Sequence, residues 1–309
     1  MWAISSGLFL GWSLGANDSA NIFGTGVATG IVRYRTAIVL TSIFVMLGAL
    51  LEGAKCIATL TDLYRLIPLE AFICALAAAL TMTGLTFLAV PASTSQAVVG
   101  AIIGAGVLSG AADFSSLYKI VACWVFTPVS ALVLGYLCHR GLGFFVERTI
   151  SNLTHRNVFN SLGILAAGCY GAYCLGSNNV ANVTGMYVGA GMISPLAAAF
   201  IGGASISLGA LTYSKRVMMT IGKGIVPLDP FSALAAVLAQ AATLHLFTQI
   251  GVPVSSSQAI VGAVVGVGLV ADAQTISMRM LLRICIGWLA TPTAAGFLAF
   301  VPLWLISVL

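Results

Sequence analysis

Long apolar stretches separated by short polar links dominate the pattern of hydrophobic and polar positions along this chain. Five stretches run over 1–32, 36–61, 66–90, 91–110 and 117–138, and five more over 157–193, 195–221, 231–252, 253–270 and 280–308. Each is near the ~20 residues that an α-helix needs to cross a ~30 Å hydrocarbon core. A transmembrane β-barrel would alternate polar and apolar residues, and these stretches do not. The pattern therefore predicts an all-α integral membrane protein with about five apolar segments in each half.

The composition supports this class. Hydrophobic residues make up 60% of the 309 residues and charged residues only 7%, against about 25% charged in soluble domains. The 34 glycines fit helices that pack closely in lipid. No basic patch is interleaved with aromatic residues, so we expect no nucleic-acid partner. The seven cysteines lack metal-ligand spacing, and we interpret them as apolar packing residues.

Four landmarks recur in the same order in the second half of the chain, at a nearly constant spacing. The first-half members are Gly15–Asn21, Leu47–Leu50, Pro91–Ala101 and Trp124 with Thr127 and Pro128; the second-half members are Gly176–Asn182, Leu208–Leu211, Pro253–Ala263 and Trp288 with Thr291 and Pro292. Such order indicates an internal duplication. Because each copy has an odd number of crossings, the repeat is inverted in topology. We expect the first repeat over 1–138, a cytoplasmic polar link over 139–156 and the second repeat over 157–309, in one membrane domain.

The distribution of Lys and Arg predicts the orientation in the cell membrane. If residue 1 lies outside, ten of the 13 Lys and Arg residues fall in cytoplasmic links, namely Arg33, Arg35, Arg140, Arg148, Arg156, Lys215, Arg216, Lys223, Arg279 and Arg283. Only Lys55, Arg65 and Lys119 then fall in outer links. Cytoplasmic loops carry the excess of positive charge in membrane proteins. We therefore expect a multi-pass protein with both termini outside.

A polar motif lies within the first apolar stretch of each half. It consists of Asn17, Asp18 and Asn21 in the first half and of Asn178, Asn179 and Asn182 in the second. A carboxylate and amides at this depth cost several kcal/mol unless something binds them. Inverted-repeat transporters hold their coupling ions where helices are interrupted near the midplane. We predict a helix break at each motif and a cation site, with Na⁺ at Asp18 and the neighbouring Asn residues and no transition metal.

A second motif, Pro-x-Ser-[Thr/Ser]-Ser-Gln-Ala, precedes a glycine-rich apolar stretch in each half. Proline disfavours helix before it, so the hydroxyls cluster at a helix start. Free N–H groups and the positive end of the helix dipole suit an anion such as phosphate or sulfate. Neither motif contains Arg or Lys, so co-bound cations would have to balance the charge of an anion. The predicted oxyanion ligands are Ser93, Thr94, Ser95, Gln96, Ser255, Ser256, Ser257 and Gln258.

These two motifs, each present twice, resemble the signatures of the inorganic phosphate transporter family of sodium- or proton-coupled carriers. The resemblance covers essentially the whole chain. It implies an inverted repeat with re-entrant hairpins, a homodimer and both termini outside. It also implies that the Ser, Thr and Gln residues bind the oxyanion and that the Asp and Asn residues bind the cations.

One position departs from the family pattern, which has Asp in both copies of the first motif. Asn179 stands where the second Asp is expected. The exchange removes one negative charge from the predicted cation site. Within the family resemblance, it implies either fewer coupled cations or a different oxyanion such as the sulfate of related permeases.

We therefore expect a secondary active transporter that imports inorganic phosphate by Na⁺ symport, or H⁺ symport, through alternating access, with no cofactor beyond the coupling ion. A sulfate permease of the same architecture and a passive anion channel are the alternatives. An enzyme is not expected, because no nucleophile has a base near it in the sequence and no metal cluster is evident.

Overall fold

The computed structural model describes residues 2–61, 66–88, 92–109, 114–224, 228–271 and 278–308. These residues form helices and no strand, as the sequence predicts. The helices of the first half are α1 (Ile4–Asp18), α2 (Ala20–Ala28), α3 (Tyr34–Glu52), α4 (Ala54–Thr61), α5 (Pro68–Phe87), α6 (Thr94–Ser109) and α7 (Phe114–Thr149). Those of the second half are α8 (Leu153–Gly189), α9 (Pro195–Tyr213), α10 (Lys215–Gly224), α11 (Pro230–Gln249), α12 (Ser256–Ala271) and α13 (Met278–Val308).

Seven of these helices, α3, α5, α7, α8, α9, α11 and α13, are long and apolar enough to cross a membrane. Helices α6 and α12 are also apolar but have only 16 residues each, which is about 24 Å at 1.5 Å per residue. The outer faces of α7 and α13 expose large apolar side chains such as Val125, Phe126, Leu289 and Phe297. Such faces are typical of a protein whose surface contacts lipid, so the prediction of a membrane protein is confirmed.

Three pairs of equivalent helices in the two halves have equal lengths. Helices α3 and α9 have 19 residues each, α5 and α11 have 20 each, and α6 and α12 have 16 each. The halves exchange their packing partners: α6 packs against α13 and α12 against α7, while α1 packs against α9 and α8 against α3. The internal repeat is therefore present in three dimensions, and the two halves interlock.

Glycine permits these crossings between halves. A Cβ on Gly100 of α6 would collide with the backbone of Pro292 in α13, and a Cβ on Gly262 of α12 would collide with the backbone of Pro128 in α7. Gly15 of the first polar motif likewise allows close contact between α1 and α9, since a Cβ there would collide with the carbonyl of Ile206. Backbone contact of this kind is a common way for helices to associate in membranes.

The backbone of the two polar motifs differs from the prediction of a helix break in each. Ser19 separates α1 from α2 in the first half, whereas α8 runs without interruption through Asn178–Asn182 in the second. The equivalent asparagines Asn17 and Asn178 bond their hairpins alike, so these bonds do not account for the difference in helix continuity. The segment expected as a polar link, 139–156, is also mostly helical, since α7 continues to Thr149 and α8 begins at Leu153.

Two glycines in the left-handed region end equivalent helices. Gly30, with φ of 77°, follows α2, and Gly191, with φ of 68°, follows α8. The N–H of Val32 returns to the carbonyl of Gly26, and the N–H of Met192 returns to the carbonyl of Tyr187. Glycine takes this conformation without the steric cost of a Cβ, so it ends a helix sharply.

Candidate transport site

Two helical hairpins, α5–α6 and α11–α12, bring their tips to the polar motifs. An equivalent asparagine braces each tip. The Oδ1 of Asn17 accepts from the N–H of Ala92 at 3.2 Å, and its Nδ2 donates to the Oγ1 of Thr86 at 3.0 Å. The Oδ1 of Asn178 accepts from the N–H of Val254 at 2.8 Å, and its Nδ2 donates to Thr248 at 3.0 Å. Both polar ends of each amide therefore hold a hairpin of the same half.

A serine caps the second helix of each hairpin. The Oγ of Ser93 accepts from the N–H of Gln96 at 3.3 Å, and the Oγ of Ser255 accepts from the N–H of Gln258 at 3.2 Å. A serine hydroxyl at this position satisfies one of the N–H groups that a helix start leaves without a carbonyl. The motif therefore begins α6 and α12 within the polar centre, as the sequence predicts.

Further hydrogen bonds join the two halves across the centre. The Nδ2 of Asn21 donates to the Oγ of Ser256, and the Nδ2 of Asn182 donates to the Oγ of Ser95, both at 2.9 Å. The hydroxyl of Ser95 in turn donates to the carbonyl of Val254 at 3.0 Å. The first motif of each half thus binds the second motif of the other half.

All of the predicted site residues are buried, and none is more than 4% exposed. The structure brings both motifs of both halves to one centre, although the sequence separates them by more than half of the chain. Pro91, which opens the second motif of the first half, lies outside the described residues. No group of three His, Cys, Asp or Glu residues in the described part of the chain could hold a metal ion.

Asp18 supplies the charge of this centre. Its Oδ2 accepts from the hydroxyl of Thr94 at 3.3 Å and its Oδ1 from the Nδ2 of Asn21 at 3.4 Å, both long bonds. The ion pairs found among the described residues lie elsewhere, between Glu52 and Lys55 and between Glu52 and His245. A buried carboxylate without a cationic partner is costly, so a bound cation would stabilise it.

Several other polar atoms in the centre are buried and have no hydrogen-bond partner among the described residues. Four of them are oxygens, namely Oδ1 of Asn21 and Asn182 and Oε1 of Gln96 and Gln258. One is a donor, the Nδ2 of Asn179. Buried polar groups in native proteins are nearly always paired. The oxygens of Asn21 and Asn182 are therefore suited to a cation, and the amide hydrogens of Asn179 to an acceptor such as an oxyanion.

A cavity of about 480 Å³ reaches the two glutamines. Gln96 and Gln258 lie in its wall together with Trp124 and Trp288, which occupy equivalent positions in α7 and α13. The Nε1 atoms of both indoles are buried and have no hydrogen-bond partner among the described residues. The cavity therefore adjoins the centre and carries the same repeat symmetry.

Sequence reasoning missed three residues. Thr86 and Thr248 accept from the bracing asparagines, and their equal distance from the motif proline in each half could have revealed them. Gln240 in α11 is fully buried, and its two polar side-chain atoms have no hydrogen-bond partner in the described part of the chain. No repeat signal marks Gln240, because its counterpart in the first half is Ala78.

Family comparison agrees with this geometry. The model of the phosphate transporter family matches residues 14–155 and again 144–299, which is one match for each half. The chain belongs to the phosphate transporter family. Members of this family are transporters and not enzymes.

Relatives within the family carry names for two different oxyanions. A protein of Methanocaldococcus jannaschii named as a putative phosphate permease is 31% identical over 296 residues, covering 95% of this chain and 93% of its own. The sulfate permease CysP of Bacillus subtilis is 28% identical over 298 residues, covering 94% of this chain and 83% of its own. Sequence similarity alone therefore leaves two anions to consider.

One solved structure, that of a protein named as the sodium-dependent phosphate transporter, has the same fold. It matches with a TM-score of 0.86 over 99% of this chain and 98% of its own, at 21% sequence identity. The inverted-repeat architecture predicted from the sequence is therefore confirmed.

Proposed function

We propose that this protein imports inorganic phosphate together with Na⁺ through alternating access. The observation that carries the proposal is a buried centre in which two helix starts and one carboxylate meet with no ion pair among the described residues. Helix starts attract an anion and a carboxylate attracts a cation. The cation neutralises the carboxylate and the anion neutralises the positive ends of the helix dipoles, so both charges are balanced only when both ions are bound.

Each half supplies four oxyanion ligands at equivalent positions in this proposal; the hydroxyls of Thr94 and Ser95, which donate to Asp18 and to the carbonyl of Val254 in the structure, would turn to the oxyanion when it binds. They are the hydroxyl and N–H groups at the starts of α6 and α12 and the two glutamines, that is Ser93, Thr94, Ser95 and Gln96 with Ser255, Ser256, Ser257 and Gln258. Ser93 and Ser255 also cap their helices. Capping uses the oxygen lone pair of each serine and leaves its hydroxyl hydrogen able to donate.

The cation ligands divide into two groups. Asp18, Asn21 and Asn182 offer oxygens toward the centre, two of which have no hydrogen-bond partner among the described residues. Asn17 and Asn178 use both polar ends to hold the hairpin tips. We therefore assign Asn17 and Asn178 a positioning role, in place of the direct cation contact expected from the sequence.

Na⁺ is the proposed coupling ion because most of the buried polar atoms without a hydrogen-bond partner in the described part of the centre are oxygens. The protein of the matching solved structure is itself named as sodium-dependent. Proton coupling is the alternative, in which the carboxyl of Asp18 would carry the proton. Uptake driven by a proton gradient in the absence of Na⁺ distinguishes the two.

Sulfate is the alternative substrate, and one observation favours it. The sulfate permease CysP matches this chain over nearly the same length as the relative named for phosphate. Phosphate and sulfate are both tetrahedral oxyanions, and the hydroxyls of this centre could donate to either. A passive anion channel would need no coupling ion and would conduct anions without a cation gradient.

The inverted repeat and the distribution of Lys and Arg support a cell-membrane location with both termini outside. The homodimer remains a prediction from the family resemblance. A membrane-impermeant thiol reagent applied to intact cells, with a cysteine added at either end, tests the orientation: both ends should react without permeabilising the cells.

The decisive experiment is uptake of labelled phosphate and labelled sulfate into proteoliposomes, with and without an inward Na⁺ gradient. Phosphate accumulation that collapses without Na⁺ supports the proposal. Sulfate accumulation in its place supports the alternative substrate, and anion flux that ignores every cation gradient supports a channel. Absence of any uptake by monodisperse protein would refute transport of either anion.

A further inference from the structure

Asp18 and Asn179 occupy equivalent positions in the two halves. Each follows an asparagine that braces its own hairpin tip, and each is 1% exposed. Each accepts from the asparagine three residues later: Asn21 donates to Asp18 at 3.4 Å, and Asn182 donates to Asn179 at 3.0 Å. The two sites therefore have similar surroundings, and the main chemical difference between them is an acid in one and an amide in the other.

Among the buried side chains that the structure describes, Asp18 is the only charged one. Asn21 and Asn182 each donate to a serine of the opposite hairpin at 2.9 Å, although Ser256 and Ser95 stand at neighbouring and not at equivalent positions of the repeated motif. The ion pairs in the described part of the chain all involve Glu52, at the junction of α3 and α4. A cation position beside Asp18 is thus matched by a negative charge, whereas the equivalent position beside Asn179 is not.

The amide also presents the wrong atom to a cation. The Oδ1 of Asn179 already accepts from Asn182, while its Nδ2 is buried and has no hydrogen-bond partner among the described residues. An N–H group repels a cation and attracts an oxygen acceptor. A bound oxyanion would pair this donor and remove the cost of leaving it unsatisfied.

We propose that the site holds a single coupling cation, in the half that contains Asp18, and that Asn179 binds the oxyanion in the other half. The cation contacts Asp18 and the Oδ1 of Asn21, whereas Asn182 is not a cation ligand in this arrangement and donates to Ser95 and Asn179. This inference rests on the proposed function and specifies its stoichiometry, one Na⁺ for each phosphate.

The test measures ²²Na⁺ and ³²P-phosphate influx together in proteoliposomes under an inward gradient of both ions. The wild-type protein should carry one Na⁺ per phosphate and show a Hill coefficient near one for Na⁺. Asn179→Asp adds a carboxylate to an otherwise equivalent position. It should raise the flux ratio toward two and make the Na⁺ dependence sigmoidal.

Two further variants change the charge of Asp18: one removes it, and the other moves it to the second half. Asp18→Asn leaves no carboxylate in the centre and should abolish Na⁺ influx coupled to phosphate. The double variant Asp18→Asn with Asn179→Asp moves the carboxylate of the centre from the first half to the second. It should recover coupled influx with a ratio of one, which a general loss of stability would not produce.

The outcomes separate the stoichiometry from the proposed function. No accumulation of phosphate by the wild-type protein would refute the proposed function before any ratio is measured. Accumulation with two or more Na⁺ per phosphate in the wild type would overturn the single-cation site. An unchanged ratio in a monodisperse Asn179→Asp protein would overturn it as well. If that variant is not monodisperse, the wild-type ratio decides.

Discussion

At the scale of single residues, the charge of Asp18 and the hydrogen bonds of the asparagines have separable roles. Asp18→Asn keeps the size of the side chain and removes the charge; its one oxygen can still accept from Asn21, and its new amide hydrogens can donate to the hydroxyl oxygen of Thr94. We expect Na⁺-dependent phosphate uptake to fall more than about tenfold, a loss that corresponds to ~1.4 kcal/mol of binding free energy. The melting temperature without Na⁺ or phosphate should stay the same or rise, because the substitution removes a buried charge. Na⁺ dependence that survives the substitution would contradict the assignment of the cation site.

Asn178→Ala should act in the opposite manner, through stability. The substitution leaves the N–H of Val254 without an acceptor and the Oγ1 of Thr248 without a donor in a buried hairpin tip. An unsatisfied buried group costs about 1–3 kcal/mol, so the melting temperature measured without Na⁺ or phosphate should fall. Asn157→Ala, at an exposed position of the same helix, is the matched control. A direct ligand role would instead leave the substrate-free melting temperature at its wild-type value.

These two predictions also show what the sequence can and cannot tell about the site. Polar residues repeated within apolar stretches identify Asn17 and Asn21 as unusual, because lipid tolerates few such groups. The two side chains are of the same type and lie one helical turn apart. Only the position of the hairpin tip, a contact across 75 residues, assigns bracing to Asn17 and leaves the Oδ1 of Asn21 available.

At the scale of helices, backbone contact between α6 and α13 depends on glycine. A Cβ on Gly100 would meet the backbone of Pro292, which cannot rotate away as a side chain could. Gly100→Ala should therefore destabilise the protein by about 1–3 kcal/mol, seen as a lower melting temperature in detergent. Gly84→Ala in α5 has nothing within 4 Å of its added Cβ, so this control should be neutral or slightly stabilising. Equal melting temperatures for the two variants would contradict the packing.

Hydropathy predicted where apolar helices lie but not where each one is interrupted or extended. Single residues, Ser19 and Gly53, separate α1 from α2 and α3 from α4 without changing the apolar character of the stretch. Conversely, α7 remains helical past Arg140 into the predicted link. A helix can continue beyond the hydrocarbon region, because its backbone hydrogen bonds do not depend on lipid. The apolar pattern measures burial in lipid and carries little information on helix continuity.

At the scale of the whole molecule, the exchanged packing of α6 with α13 and of α12 with α7 makes the halves interdependent. Only residues 150–152 lie between the helices α7 and α8 that connect the halves. We expect the fragments 1–151 and 152–309 to assemble when co-expressed, because the break cuts no helix. Each fragment alone should be unstable, because its short hairpin helix lacks the partner that covers it. Co-purification through a tag on one fragment, followed by phosphate uptake, measures the assembly.

The control for this experiment cuts the chain between Gly176 and Ser177, inside α8. That break removes helical hydrogen bonds next to Asn178, which braces the second hairpin. It also separates the polar motif from Gly176, whose lack of a Cβ lets α8 contact the backbone of Val45 in α3. Fragments 1–176 and 177–309 should therefore fail to recover uptake even if some of them associate. A first-half fragment that is stable and monodisperse by itself would show that the halves fold independently. In that case each repeat would fold first, and the exchanged packing and the transport centre would form only when the two folded repeats associate.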